Sequence, residues 1–377
     1  MKVALIQNQV GIDGRSRVIG EIVVALNELG ITPDVFTLST ATRVRGWREV
    51  LMEGRPMRFG LPRTWRVPVI RGYVYQTVAH NWLLRNVLSR YDLVVNGNDF
   101  VGFVPTSVRR IHYFHFPIRA AFAVMSRYGR RVARLATSPA RLVAERFDGE
   151  ILGSDVVFAN SCFTRERVRE LWPSARCEVL YPPVDAPAAM RARERDIDVV
   201  TLGNIAPEKH QLEQVKLAES MPGRRFALVG AVNSPVYRRR LERVIRSRRL
   251  TNVTLVLDAS SRVVSEHLWR ARVLLHMKES EHFGIAVAQA IAHGCVPIVH
   301  DSGGQVEIVT DPALRFQSSA DIPRILDDVL SGRLPEPDRA RQMCARLAEF
   351  APERFRERIK AAVLSDAPQH RAGRARA

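Results

Sequence analysis

The sequence predicts an α/β protein of two domains, each a parallel sheet covered by helices. Three observations carry that prediction. Short β-branched runs alternate with segments of helical period along most of the chain, the pattern of βαβ units. The alternation begins twice, on either side of VLYPPVDAP (residues 179–187), which has three prolines and no helical period. With 377 residues the chain is too long for one ordinary core and long enough for two.

In the first half, strands are expected at 2–7, 33–38, 93–95, 110–114 and 156–159, where Val, Ile, Leu and Phe dominate. Helices are expected at 18–29, 74–89 and 164–171, and a further basic helix within 119–146. After the proline-rich linker, strands are expected at 199–202, 226–229, 253–257, 273–277 and 296–299. Helical stretches at 211–220, 236–248 and 263–269 lie between them, and two more follow residue 321, the last at 352–364. The domains expected are therefore 1–187 and 188–350, with a C-terminal helix at 351–366. The tail at 367–377, ending RAGRARA, reads as disordered.

Composition narrows the class. A hydrophobic share of 46% and a charged share of 25% belong to a globular chain. No run of 18 apolar residues occurs, so no spanning helix is expected. The opening MKVALIQNQVG reads as a buried strand and its loop, too short in its apolar run for a signal peptide. Cys162, Cys177, Cys295 and Cys344 show no metal-type spacing and read as buried thiols of a cytosolic protein.

The net charge is +18 and arginine dominates it. Arg119, Arg127, Arg130, Arg131, Arg134, Arg141 and Arg146 share one stretch with Phe122, Val124, Leu135 and Leu142. A basic helix with an apolar face suits an anionic membrane surface, and an arginine-rich solvated face accounts for it equally well. A second patch, Arg238 to Arg249, has few apolar partners and reads as surface decoration. A nucleic-acid partner is disfavoured, because aromatics do not interleave the basic residues and no nucleic-acid module is recognisable.

The most informative stretch is ESEHFGIAVAQAIAHGCVPIVHDSGGQVEIV, residues 279–309. Glu281 precedes a helix of small apolar residues, and Gly284 opens that helix. Gly294 ends it, the strand at 296–299 follows, and a turn, Asp301-Ser302-Gly303-Gly304, leads to Glu307. Two loops at one edge of a parallel sheet form the usual ligand position of open α/β sheets. A glycine at a helix N-terminus lets backbone N–H groups approach a phosphate closely. The chemistry suggested is recognition of a nucleotide diphosphate. Taken singly, each feature is as well explained by a tightly packed helix and an ordinary turn.

Three further stretches join it. Gly203-Asn204-Ile205-Ala206-Pro207-Glu208-Lys209 follows a strand. Gly11-Ile12-Asp13-Gly14-Arg15-Ser16 follows the first strand, and as a Gly-x-x-Gly alone it is an ordinary βα turn. IHYFHFP places His112 and His115 at a strand end, where a satisfied structural histidine is the commoner role. In VVFANSCFT, Asn160 and Ser161 precede a helix that Ser161 or Thr164 would cap.

Taken together, these residues resemble the retaining GT-B glycosyltransferases of family 4. The pattern E-x7-E is met at Glu281 and departs at its second position, which is Gln289. Gly203 to Lys209 resembles the family's G-R-x-x-x-E-K loop, with Asn204 where the arginine stands. The resemblance implies two Rossmann-like domains facing across a cleft that holds a GDP- or UDP-linked sugar. Gln289 would hold the ribose, and Lys209 with the Gly284 amide the diphosphate. Glu281 with the Phe283 amide would hold the sugar hydroxyls, beside His282. Gly303, Gly304 and Glu307 would shape the far wall. His115 would contact the transferred sugar, and the loop of Gly14 would touch the phosphates.

The wording EHFGIAV and HDSGG suggests mannose as first choice of sugar and GDP as its carrier. The acceptor implied is a glycan or glycolipid at the inner face of a membrane. No cofactor and no metal are implied, since Asp196-Ile197-Asp198, the sole Asp-x-Asp, sits in a charged lead-in to a strand. Asn204 and Gln289 also leave open a catalytically idle scaffold, and the net charge of +18 an anion- or nucleic-acid-binding protein.

Overall fold

A computed structural model describes residues 1–10, 14–37, 39–40, 72–128, 131–185, 194–334, 343 and 345–365. The chain divides into two compact units, Met1–Pro183 with Pro352–Ala377, and Val184–Ala351. The expected boundary after residue 187 and the tail at 367–377 both lie outside the described residues.

The first unit is built on six parallel strands: β1 (Val3–Ile6), β3 (Asp34–Phe36), β5 (Leu93–Asn96), β6 (Arg109–Phe114), β7 (Val156–Ala159) and β8 (Cys177–Val179). Their order is β3-β1-β5-β6-β7-β8. A two-stranded parallel sheet pairs β2 (Gln9–Val10) with β4 (Ser39–Thr40). All four residues of β1 and of β5 are buried, as expected of strands covered on both faces. The helix Gly14–Glu28 buries Val18, Ile19, Ile22, Val23 and Leu26, a stripe at helical period. Phe355, Ile359 and Val363 of the C-terminal helix Pro352–Leu364 enter the same core. Arg356 and Lys360 of that helix each reach carboxylates of the Gly14–Glu28 helix, Glu21 and Glu28, at 2.8 Å.

Two expectations need correction here. The basic stretch 119–146 is two helices, Ile118–Tyr128 and Arg131–Phe147. Residues 129 and 130, between them, lie outside the described residues. The side chains of residues 124–138 lie outside the described residues, and with them Arg127, Arg130, Arg131 and Arg134. Val179, assigned to the linker, closes β8 instead, because residues 177–179 pair with β7.

The second unit has its own six-stranded parallel sheet: β9 (Ile197–Leu202), β10 (Phe226–Gly230), β11 (Val253–Leu257), β12 (Ala271–His276), β13 (Val296–His300) and β14 (Arg315–Phe316). The order is β11-β10-β9-β12-β13-β14. Counted within this unit it runs 3-2-1-4-5-6, so the direction of winding reverses between β9 and β12. That is the switch point at which such sheets leave a crevice beyond their C-terminal strand ends. The loops emerging there are those that follow Leu202 and His276.

Candidate functional site

The first loop leaves β9 through Gly203, whose φ is +154°. A Cβ on the neighbouring Gly230 would stand 1.8 Å from the Gly203 carbonyl oxygen, so strand β10 can pass this turn only as glycine. The chain then makes one 3-10 turn, Pro207–Lys209, closed by the Lys209 N–H on the Ala206 carbonyl. His210 follows at φ +56°, a left-handed conformation unusual outside glycine. Gln214 donates to the Lys209 carbonyl at 3.2 Å and Gln211 to the Asn204 carbonyl at 2.8 Å. Both glutamines come from the next helix, Gln211–Ser220, and are buried. Lys209 is thereby held by its backbone while its side chain extends along the sheet edge.

The second loop leaves β12 at His276 and carries Lys278, Ser280 at φ +50°, and Glu281. The Glu281 carboxylate accepts from four donors. Lys209 Nζ lies 2.7 Å and His276 Nε2 3.1 Å from Oε2. Lys278 Nζ lies 3.2 Å and the His282 N–H 3.1 Å from Oε1. Two oxygens with about four lone-pair sites are therefore fully engaged. Burial alone would raise the Glu281 pKa, but Lys209, then Lys278 and His276, hold it well below the usual carboxylate range. Burial, with help from Lys209, lowers the His276 pKa and keeps that imidazole neutral. Two ammonium groups thus bond one carboxylate, while Glu208 adds a second negative charge that acts on Lys278 from further off.

A third turn buttresses the second. Gly303 has φ +73°, and a Cβ there would stand 2.3 Å from the Glu281 carbonyl oxygen. On Gly304 a Cβ would meet the His282 carbonyl oxygen at the same 2.3 Å. Instead the Gly304 N–H donates to the Glu281 carbonyl at 2.7 Å, and Ser302 Oγ accepts from the Ser280 N–H at 2.8 Å. Buried Gln305 donates through one amide nitrogen towards the carbonyls of Lys278, His300 and Ser302, at 2.9–3.1 Å. The two glycines are needed because two backbones touch.

Gly284, at φ +110°, opens the helix Ile285–Ala292, which carries no side-chain cap. Phe283 beside it is buried and meets Phe350 edge-on, with ring centroids 5.2 Å apart. Gln289 lies half-buried on that helix, and its carbonyl accepts from His293. Glu307 belongs to the short helix Gln305–Ile308, and its carbonyl accepts from Arg346. Lys209, Glu281, His282, Gly303 and Gly304 are therefore brought together by direct contacts.

In the first unit, Gly14 begins its helix, while Gly11, Ile12 and Asp13 lie outside the described residues. Asp99 Oδ1 accepts from the N–H groups of His115 and Phe116, both at 2.8 Å, and Arg15 lies 3.4 Å from Oδ2. Burial first, and then Arg15, hold the His115 pKa well below the usual imidazole range. Its Nε2 is buried with no hydrogen-bond partner among the described residues. His112 takes a structural place, stacked on Phe114 and facing the Arg110–Asp155 ion pair. Ser161 supplies the helix cap, accepting from the Thr164 N–H at 3.0 Å, while the Thr164 hydroxyl holds the His115 carbonyl.

Asp196 is paired with Arg270, and Asp198 with the Arg225 N–H. Among the described residues no group of three His, Cys, Asp or Glu is placed to hold a metal ion. Sequence reasoning missed His276, Lys278 and Gln305. The signal available was two polar side chains, His276 and Lys278, ending an otherwise apolar strand at the sheet edge where ligands bind.

The second unit is an open α/β sheet whose switch point carries two lysines, a carboxylate and a glycine-opened helix. Known proteins sharpen that class. The family described as Glycosyl transferases group 1 matches residues 186–349, and that described as Glycosyltransferase Family 4 matches residues 12–186. The chain belongs to these glycosyltransferases.

A relative from Xenopus laevis, described as GDP-Man:Man(3)GlcNAc(2)-PP-Dol alpha-1,2-mannosyltransferase, is 27% identical over 169 residues. That match takes in 40% of this chain and 35% of the relative, so the chain spans about a third of the curated protein it matches. A glycosyltransferase structure from Rickettsia africae superposes with a TM-score of 0.65 at 14% identity, over 97% of this chain and 99% of that one. The Anabaena protein HepE, solved with UDP and glucose, superposes at 0.70 and 15% identity, over 97% and 100%. The fold is that of the GT-B class.

Proposed function

We propose that this protein transfers a hexose, mannose as first choice, from a nucleoside-diphosphate sugar to a lipid-linked glycan, with retention and without a metal ion. The observation that carries the reading is the contact of Lys209 with Glu281, 2.7 Å apart, at the switch point of the second sheet beside the glycine-opened helix. The choice of mannose, of GDP and of a lipid-linked acceptor rests on the description of the Xenopus relative and is carried no further than that.

In this reading Lys209 and the amides from Gly284 onward neutralise the diphosphate as the sugar departs, the task a metal performs elsewhere. Gln289 holds the ribose, and Glu281 with the Phe283 amide holds the sugar. His282, Gly303, Gly304 and Glu307 wall the site, and Asn204 lies beside the phosphates. The acceptor attacks from the leaving-group face, and a donor phosphate oxygen takes its proton, so no protein nucleophile is required.

The test begins with thermal stabilisation by GDP, UDP and their sugars. A ligand at 100 times its dissociation constant adds about 2.7 kcal/mol of stability. Transfer by Lys209→Ala should then fall by on the order of 100-fold, the usual cost of one preorganised charge contact. Unchanged turnover in that variant would sink the assignment. A strict need for Mn²⁺ or Mg²⁺ would overturn the metal-free mechanism.

A further inference from the structure

We propose that Lys278 is a second anion-binding residue of this site, sharing the diphosphate with Lys209 while Glu281 serves as the counter-charge that stores both ammonium groups. The proposal rests on the reading of the second unit as a nucleoside-diphosphate site. It adds a residue that neither the family pattern in the sequence nor any comparison assigns.

Three observations carry it. Lys278 and Lys209 approach opposite oxygens of one carboxylate, at 3.2 and 2.7 Å, so one negative charge is shared by two cations. Both ammonium groups are largely shielded, their side chains 20% and 18% exposed, so water screens them little. Position supplies the third. Lys278 leaves β12 two residues beyond its last strand residue, His276, on the side of the switch point facing the Gly203–Lys209 turn. Gln305 anchors its carbonyl at 2.9 Å, so the backbone beneath the ammonium is fixed and only the flexible stem must turn.

A lone structural ion pair needs one lysine, not two. Here two shielded ammonium groups share one directly bonded carboxylate, with Glu208 acting on Lys278 only at longer range, and a diphosphate offers two or more charges to the two cations. The same exchange explains how Glu281 becomes available. With four donors on its two oxygens it has no acceptor capacity left for a sugar hydroxyl. When an anion draws Lys278 away, one lone pair of Oε1 is released. Lys278 also supplies a cation that Asn204 cannot.

Titration calorimetry of the full chain with inorganic pyrophosphate and with GDP tests this, using Lys278→Gln, Lys278→Arg, Lys209→Gln and, as a control on an exposed helix position, Lys216→Gln. Lys278→Gln should weaken both ligands fivefold or more and make pyrophosphate affinity less sensitive to salt, because one ionic contact is gone. Lys278→Arg should recover most of the loss, and Lys216→Gln should change nothing. If Lys278→Gln binds within fivefold of the unaltered protein while Lys209→Gln does not, the proposal fails and the site reading survives. If the unaltered protein binds pyrophosphate, GDP and UDP not at all, the site reading itself fails and takes the proposal with it.

Should Lys278→Gln not fold, acetylation of the unaltered protein decides. Pyrophosphate should protect Lys278 and Lys209 relative to Lys216. Equal labelling of Lys278 with and without pyrophosphate overturns the proposal.

Discussion

His80 shows how far a single side chain can be committed by its surroundings. It is 1% exposed, and its Nδ1 lies 2.6 Å from Asn8 Oδ1, so Nδ1 carries the proton. Nε2 is buried with no partner among the described residues, so a second proton would have no acceptor. Burial accordingly lowers its pKa to about 4. An unfolded chain binds this proton below about pH 6.5, while the folded chain refuses it down to about 4. Between those values the unfolded state binds more protons, so stability falls as pH falls, by about 3 kcal/mol over the window. His80→Gln keeps a donor for Asn8 and cannot titrate. Urea unfolding of the first unit at pH 7, 5.5 and 4.5 should lose less stability in this variant, and parallel losses in both proteins would contradict the account.

At the scale of elements the two sheets were legible almost throughout. Continuous apolar runs such as VALI and LVVN are the mark of strands covered on both faces, and they form β1 and β5. What failed to show was whatever depended on a partner. β8 is three residues long and exists because β7 offers an edge. The basic stretch is two helices, Ile118–Tyr128 and Arg131–Phe147, a division that an amphipathic pattern alone does not register. Glu281 and Lys209 were singled out by the resemblance, and the structure brings their side chains into contact. Lys278 and Gln305 were not, since a lysine and a glutamine acquire roles only through what they face.

The turn Gly303-Gly304 lies between those cases: it was visible as a turn but not as a backbone contact. Gly304→Ala should force the Glu281 loop away from its buttress, because the new methyl would stand 2.3 Å from the His282 carbonyl oxygen. Overpacking of this kind costs about 1–3 kcal/mol. The second unit should lose stability by that amount, and nucleotide affinity should fall with it. Wild-type stability in this variant would mean the two loops are not held in contact.

For the whole molecule the open question is what a net charge of +18 is for. Some arginines are paired with carboxylates, as at Arg238–Glu242 and Arg248–Glu219, and the +18 is what remains beyond all such pairing. The first unit offers something different. Trp82, Leu142 and Phe147 are exposed by 46%, 64% and 42%, on the helices Tyr73–Leu88 and Arg131–Phe147, which pack together. Arg85 lies 4.4 Å over the Trp82 ring and Arg146 5.8 Å over Phe147, so each exposed ring carries a cation. Rings and basic stems of this kind suit a headgroup layer. No helix among the described residues is long and apolar enough to cross a membrane, so contact through them would be at the surface.

The full chain is therefore expected to sediment with anionic vesicles at low ionic strength and to leave them as salt rises, each basic residue contributing about 1 kcal/mol. Trp82→Ala should weaken that binding through lost apolar contact and leave its salt dependence intact. Replacing Arg127, Arg130, Arg131 and Arg134 with Gln should flatten the salt dependence, because each change removes one positive charge. Nucleotide binding in the second unit should be untouched by either change. A protein that ignores anionic vesicles at low salt would leave these arginines as solvated surface, and the lipid-linked acceptor would have to be replaced by a soluble one.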